Sequence, residues 1–202
     1  VDVDMMDSFN ASFAQADVVA EVTNHNERWL ATFNYSFNSG IATTTQFTAT
    51  LPPGQTSLLT HMGLSADSSE PTLQISNLRW QRLNNHVVPD MAQFLAERLN
   101  FAVSNFIFTP AGQDATAPSA ARVAFTYENL SPFNYSHPNF IIGLYHNNAL
   151  VGVLPLKLEA FRSQTKTQVD VRSFTPNLIF DSVVVYPLFN VFDQTSYFAP
   201  GQ

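Results

Sequence analysis

Apolar and polar positions alternate along most of this chain, the period of half-buried β-strands. Residues 29–37 carry the clearest case. Phe33, Tyr35 and Phe37 fall on one side, and Thr32, Asn34 and Ser36 on the other. Similar candidate segments lie at 17–22, 43–51, 56–62, 73–83, 103–109, 122–129, 140–145, 150–158, 165–174 and 178–186, of which the expectation is that about eight to ten in the chain are strands. Asn38-Ser39-Gly40 and Pro52-Pro53-Gly54 are turn signals between them. The period changes once. Pro89 suits a first helical position, and Met91, Phe94, Leu95, Leu99 and Ala102 then share one face, which predicts a helix over about 89–104.

This pattern predicts an all-β fold: a single eight-stranded jelly-roll β-sandwich with one inserted α-helix. Residues 1–16 read as an N-terminal arm, 17–187 as the sandwich and 188–202 as an aromatic tail with Phe189, Phe192, Tyr197 and Phe198. The alternative is two tandem Ig-like β-sandwiches. A weak internal echo would follow from it, and a single jelly roll, which is two Greek keys, tolerates the echo as well. Val22-Thr23-Asn24 precedes Tyr127-Glu128-Asn129 by 105 positions, and Leu73, Ile75 and Leu78 precede Leu178, Phe180 and Val183 by the same offset. A helix with an apolar face belongs against a sheet rather than stretched as a linker, so the single sandwich is the preferred expectation.

Composition narrows the role. The 202 residues are 45% hydrophobic, and 18 Phe stand against 2 Trp and 6 Tyr, an excess suited to a core or a subunit contact. Charged residues reach only 12%, about half the usual share, which points to surface buried against other subunits. With no cysteine, disulfides, thiolate metal sites and cysteine nucleophiles are excluded. The net charge of −7 is uneven: residues 1–88 hold 8 acidic and 3 basic groups, and residues 122–202 hold 5 of each. Nothing resembles the clustered cations of sequence-led nucleic-acid recognition, and no apolar run is long enough for a transmembrane helix. The Val1 start and the Gln202 end fit release from a polyprotein by cleavage after Gln.

Candidate chemistry is sparse. His25, His61, His86, His137 and His146 form no ligand motif and read as exposed loop residues. Asp2, Asp4 and Asp7 lack the glycine and distal glutamate of an EF-hand and read as a solvated arm. Gly63-Leu64-Ser65-Ala66-Asp67 begins like a nucleophile elbow but lacks its second glycine. Asn10, Asn34, Asn129 and Asn134 head N-x-S sequons. The expectation is therefore no enzyme, no catalytic, cofactor or metal site, no membrane span and no small-molecule substrate.

Two resemblances give the pattern a role. The Pro89 helix leads into Asn105-Phe106-Ile107-Phe108, then a small-residue loop and the strand at 122–129, and residues 181–186 run into Pro187-Leu188-Phe189-Asn190-Val191. This order resembles the jelly-roll coat proteins of picorna-like viruses, especially the small coat proteins of plant secoviruses. The resemblance implies a structural subunit of an icosahedral virion, assembling with other coat subunits and touching packaged RNA only through weak contacts. Val151-Gly152-Val153-Leu154-Pro155 and Gln164-Thr165-Lys166-Thr167 are similar to Ig-like domains of the LEA-2 type. That second resemblance implies a non-catalytic extracellular or periplasmic tandem Ig-like binding module. A carbohydrate-active β-sandwich enzyme, which needs a carboxylate pair in a cleft, is the third reading.

Overall fold

The structure is a computed structural model that describes residues 1–12, 15–65, 70–114, 119–175 and 177–199. The fold is predominantly β, with one short α-helix, as the alternation predicts. The chain divides into two compact units, Val1–Met91 and Ala92–Gln202, and among the described residues each sheet draws its strands from one unit.

The first unit contains β1 (Asp2–Ser12), β2 (Gln15–Thr23), β3 (Trp29–Asn38), β4 (Phe47–Leu51), β5 (Thr56–Ser65) and β6 (Thr72–Arg82). They form two antiparallel three-stranded sheets, ordered β1-β2-β5 and β4-β3-β6. Val18, Ala20 and Val22 of β2 meet Ala31, Phe33 and Phe37 of β3, with Leu51, Leu59 and Leu64, in one core. The every-second-residue spacing explains why these strands form: one face of each loses its water to the core.

The second unit contains β7 (Phe101–Thr109), β8 (Ala121–Asn129), β9 (Tyr135–Ser136), β10 (Asn139–His146), β11 (Ala149–Lys157), β12 (Ala160–Phe161), β13 (Thr165–Ser173) and β14 (Ser182–Pro187). Its sheets run β13-β8-β7 and β11-β10-β14, with β9 and β12 as a two-residue side pairing. Phe125, Tyr127, Tyr135, Phe140, Ile142, Leu144 and Phe161 lead its separate core. Much of the Phe excess is spent here: Tyr127 stacks on Phe161 with centroids 4.9 Å apart, and Phe140 meets Tyr127 edge-on at 5.2 Å. Asn147 and Asn148, with φ of 51° and 65°, make the two-residue turn of the β10–β11 hairpin. Gly143 lies on the same strand under Tyr145 and Tyr186. A Cβ there would come within 2.8 Å of the Tyr145 ring, so only glycine leaves room for it.

Matched in chain order, the two sheet pairs are the same. In each unit the first, second and fifth principal strands form one sheet, and the fourth, third and sixth form the other. The 105-residue echo falls on this correspondence, because Asn24 follows β2 and Asn129 ends β8. Both asparagines are fully buried. Asn24 Nδ2 donates to the carbonyls of Trp29 (2.7 Å), Leu51 (3.0 Å) and Pro52 (3.1 Å), and its Oδ1 accepts from Asn26 N–H (3.1 Å). Asn129 Nδ2 donates to the carbonyls of Phe133 (2.9 Å) and Phe161 (3.1 Å), and its Oδ1 accepts from Ser131 N–H (3.0 Å) and Oγ (2.7 Å). One amide thus satisfies the loop that leaves the first sheet and the loop that returns to it.

Two sequence expectations change. The segment expected as an arm over 1–16 instead supplies β1, antiparallel on β2 from Asp2↔Thr23 to Ser12↔Gln15. The helix is α1 (Met91–Arg98), much shorter than 89–104, and Phe101–Thr109 pairs with β8 as β7. Leu99 and Ala102 fit a helical face, but Phe101, Val103 and the hydrogen-bonding edge of β8 win that segment for the sheet. The all-β expectation appears as four three-stranded sheets and one two-stranded pairing, and Phe189 and Tyr197 of the aromatic tail pack on the second unit's core.

Two predictions follow from the buried polar groups. Asn129→Ala strands two carbonyls and a buried N–H, which costs roughly 3 kcal/mol. The expected outcome in calorimetry is a fall of more than about 10 °C in one thermal transition, with Asn24→Ala lowering a different one. Tyr127 is 1% exposed, its buried hydroxyl has no hydrogen-bond partner among the described residues, and burial holds its pKa far above the ordinary tyrosine value. Tyr127→Phe removes that unpaired group and is expected to raise stability by about 1 kcal/mol in chemical denaturation.

Candidate functional site

Each sequence candidate has its own surroundings. His25 Nε2 sits 3.3 Å from Asp2, His137 Nε2 3.5 Å from Glu159, and His146 Nδ1 3.1 Å from Asp181. The His61 ring packs 5.7 Å from Phe47, and His86 lies in the loop after β6. Asp4 accepts from the Thr23 hydroxyl and Asp7 from Ser8 N–H, so the three N-terminal carboxylates have separate partners rather than one centre. Among the described residues no group of three or more His, Asp or Glu is placed to hold a metal ion.

Gly63-Leu64-Ser65 ends β5 rather than turning from a strand into a helix, and Gly63 N–H donates to Asp17 (2.8 Å). Ala66 and Asp67 lie outside the described residues. Burial pushes the Asp17 carboxyl up, and the Gly63 hydrogen bond opposes it. Of the sequon asparagines, Asn129 is the buried amide described above. Asn34 lies on β3 and accepts from the Thr48 hydroxyl (3.1 Å), and Asn134 accepts from Ser163 N–H (2.9 Å). The Asn10 side chain lies outside the described residues.

The aromatic tail is tied down within its unit. Phe192 stacks on Phe94 at 5.1 Å, and the Arg98 guanidinium lies 3.6 Å from the Phe94 ring centre and 4.4 Å from that of Phe133. The Tyr197 hydroxyl donates to the Val191 carbonyl (2.6 Å). Tyr135 donates to the Arg98 carbonyl (2.5 Å), and burial pushes its own pKa up to about 12.

Charge is organised on two strands of the second unit. Arg122 and Arg172 are cross-strand partners on β8 and β13. Two like charges side by side repel, and Asp170 relieves this. Its Oδ2 accepts from Arg122 (2.6 Å and 3.0 Å), its Oδ1 accepts from Arg172 (2.6 Å), and Arg172 also meets Asp114 at 3.0 Å. The hydrogen bond from Arg122 holds the Asp170 carboxyl below the usual carboxylate range.

The site that the sequence reading missed is at one end of the first unit. Trp29 and Arg82 are cross-strand partners on β3 and β6, and Trp80, paired with Ala31, is two residues from Arg82 on the same strand face. Trp29 and Trp80 are 40% and 38% exposed. Arg28 fastens the following loop. Its carbonyl accepts from Leu83 N–H (2.9 Å), and its guanidinium donates to the Val88 and Pro89 carbonyls (2.6 Å each). Within that loop Asn84 Oδ1 accepts from His86 N–H (2.8 Å). Arg82, Leu83, Asn84, Asn85 and His86 line a cavity of about 430 Å³. Neither Arg79 nor Arg82 has an acidic partner among the described residues. The signal was present as a repeated pair, Arg28-Trp29 and Arg79-Trp80, which uses both tryptophans of the chain.

No protein-family model matches the chain, and no curated protein matches it.

Asp170 generates a pH prediction. Its folded pKa is depressed, so its contribution is present above the unfolded value of about 3.9 and is lost as pH falls through the folded value. Asp170→Asn is expected to lower the Tm at neutral pH, and a pH series should show the gap to the parent protein closing in acid. A gap that stays constant to pH ~2 would contradict the assignment.

Proposed function

We propose that the chain is a non-catalytic binding protein built from two tandem Ig-like β-sandwich modules, acting at a cell surface or in a periplasm. The observation that carries this reading is the repeated order of six principal strands, each set with its own core and its own buried asparagine at the same place. One sandwich of this size would need one continuous core, and a repeated module accounts for two. Sandwiches of this kind present loops and strand ends to partners, where the exposed tryptophans and arginines lie.

A coat subunit of a small icosahedral virion is the second reading. It is favoured by the low charge and by large apolar residues at the surface, such as Phe174 and Ile179, which suit subunit contacts. Light scattering with negative-stain electron microscopy on the full chain separates the two. The binding module is expected as particles of single-subunit mass, about 22.4 kDa. Closed shells of uniform diameter would overturn it in favour of the coat subunit.

A further inference from the structure

We propose that the Trp29–Trp80–Arg82 end of the first unit binds a saccharide chain carrying a single carboxylate, a uronate-bearing oligosaccharide. The inference rests on the binding-module reading and names the ligand class of that site.

Three features converge. The first is aromatic. The chain has two tryptophans, and cross-strand register places both on one face beside Arg82. An indole is among the largest apolar surfaces in a protein, and the two left about 40% exposed on one face offer aromatic surface to a ligand. Flat, partly apolar sugar faces suit such rings, while the indole N–H remains available to a hydroxyl.

The second feature is charge. Arg28, Arg79 and Arg82 are all the cations of the first unit, which also holds nine acidic residues. Arg82 shares the face of the tryptophans, Arg79, next to Trp80, lies on the other face of β6, and Arg28 is bound to the Val88 and Pro89 carbonyls. Arg82 presents a planar fork that matches a carboxylate in two parallel hydrogen bonds. A single carboxylate meets this local cation, whereas a nucleic acid brings a continuous row of phosphates to a unit of net charge −6. The surrounding acidity therefore selects a sparsely charged chain.

The third feature is shape. The loop after β6 is held by Arg28 through three backbone contacts. Its turn is closed by Val87 and Val88 N–H on the Asn84 carbonyl (3.0 Å and 2.9 Å). Asn85 and His86 are exposed beside a cavity of about 430 Å³, within the range of small-ligand sites. An amide and an imidazole offer both donors and acceptors, the requirement for reading sugar hydroxyls. Arg28 is here a positioning residue, and Arg82, Trp29 and Trp80 are the contact residues.

The test uses the tryptophans themselves, since indole emission from the full chain reports this site alone. The titrant is a xylo-oligosaccharide bearing one glucuronic acid, compared with neutral xylotetraose and with a uridine tetranucleotide. The expected result is a saturable emission change with the acidic saccharide, at least about tenfold weaker with the neutral one and weakened by salt. Arg82→Gln, at an exposed side chain, is expected to raise the Kd about tenfold without moving the Tm. Trp80→Ala is expected to abolish binding with Trp29 still reporting. If that variant unfolds, Arg82→Gln carries the test alone.

No saturable change with the acidic saccharide, equal affinity for the neutral one, unaltered binding by Arg82→Gln, or tighter binding of the tetranucleotide would each overturn the proposal. Light scattering on the same sample keeps the failures distinct. Single-subunit particles that ignore the saccharide overturn this inference only, whereas closed shells overturn the binding-module reading beneath it.

Discussion

Each unit depends on one buried amide. A chain that leaves one sheet to enter the other must expose several carbonyls and N–H groups in a place that the core would otherwise dry out. An unpaired buried backbone group costs about as much as a lost hydrogen bond. Asn24 and Asn129 answer this by donating to loops far apart in sequence while accepting from a residue two positions on. The asparagine amide is short, planar and has donors and acceptor on one head, so neither aspartate nor glutamine replaces it at the same geometry. The position of β3 and of the Trp29 carbonyl follows directly, and with it the tryptophan-bearing end of the first unit.

The same topology carries different surfaces in the two units. In the second, charge on β8 and β13 is arranged pairwise, with Asp170 between Arg122 and Arg172 and Lys166 opposite Glu128. Such a surface is satisfied within itself. In the first, Arg28 is spent on carbonyls, and Arg79 and Arg82 have no acidic partner among the described residues. A repeated strand order therefore fixes the cores of the two units and leaves their surface charges free to differ.

Strand identity was legible because its signal is local. Phe33 and Phe37 fall on the buried side of β3 as their alternation requires, and the turn at Pro52-Pro53-Gly54 ends β4. The helix was half legible. Met91 and Leu95 are buried on α1, but the apolar run continued into residues that a neighbouring strand captured. The cluster of Trp29, Trp80 and Arg82 was poorly legible, since cross-strand register brings Trp29 to Arg82 across 53 positions and no local period announces it.

By itself the amino-acid sequence determined the β class, the Phe-rich interior, the absence of thiol chemistry and the echo between Asn24 and Asn129, because side-chain alternation and composition act residue by residue. Only the tertiary structure decided that the strands divide into two units, that residues 2–12 are a sheet strand, and that both tryptophans share a face with an arginine. Those outcomes depend on which backbone edges pair, and pairing is a contest among distant segments that no single segment records.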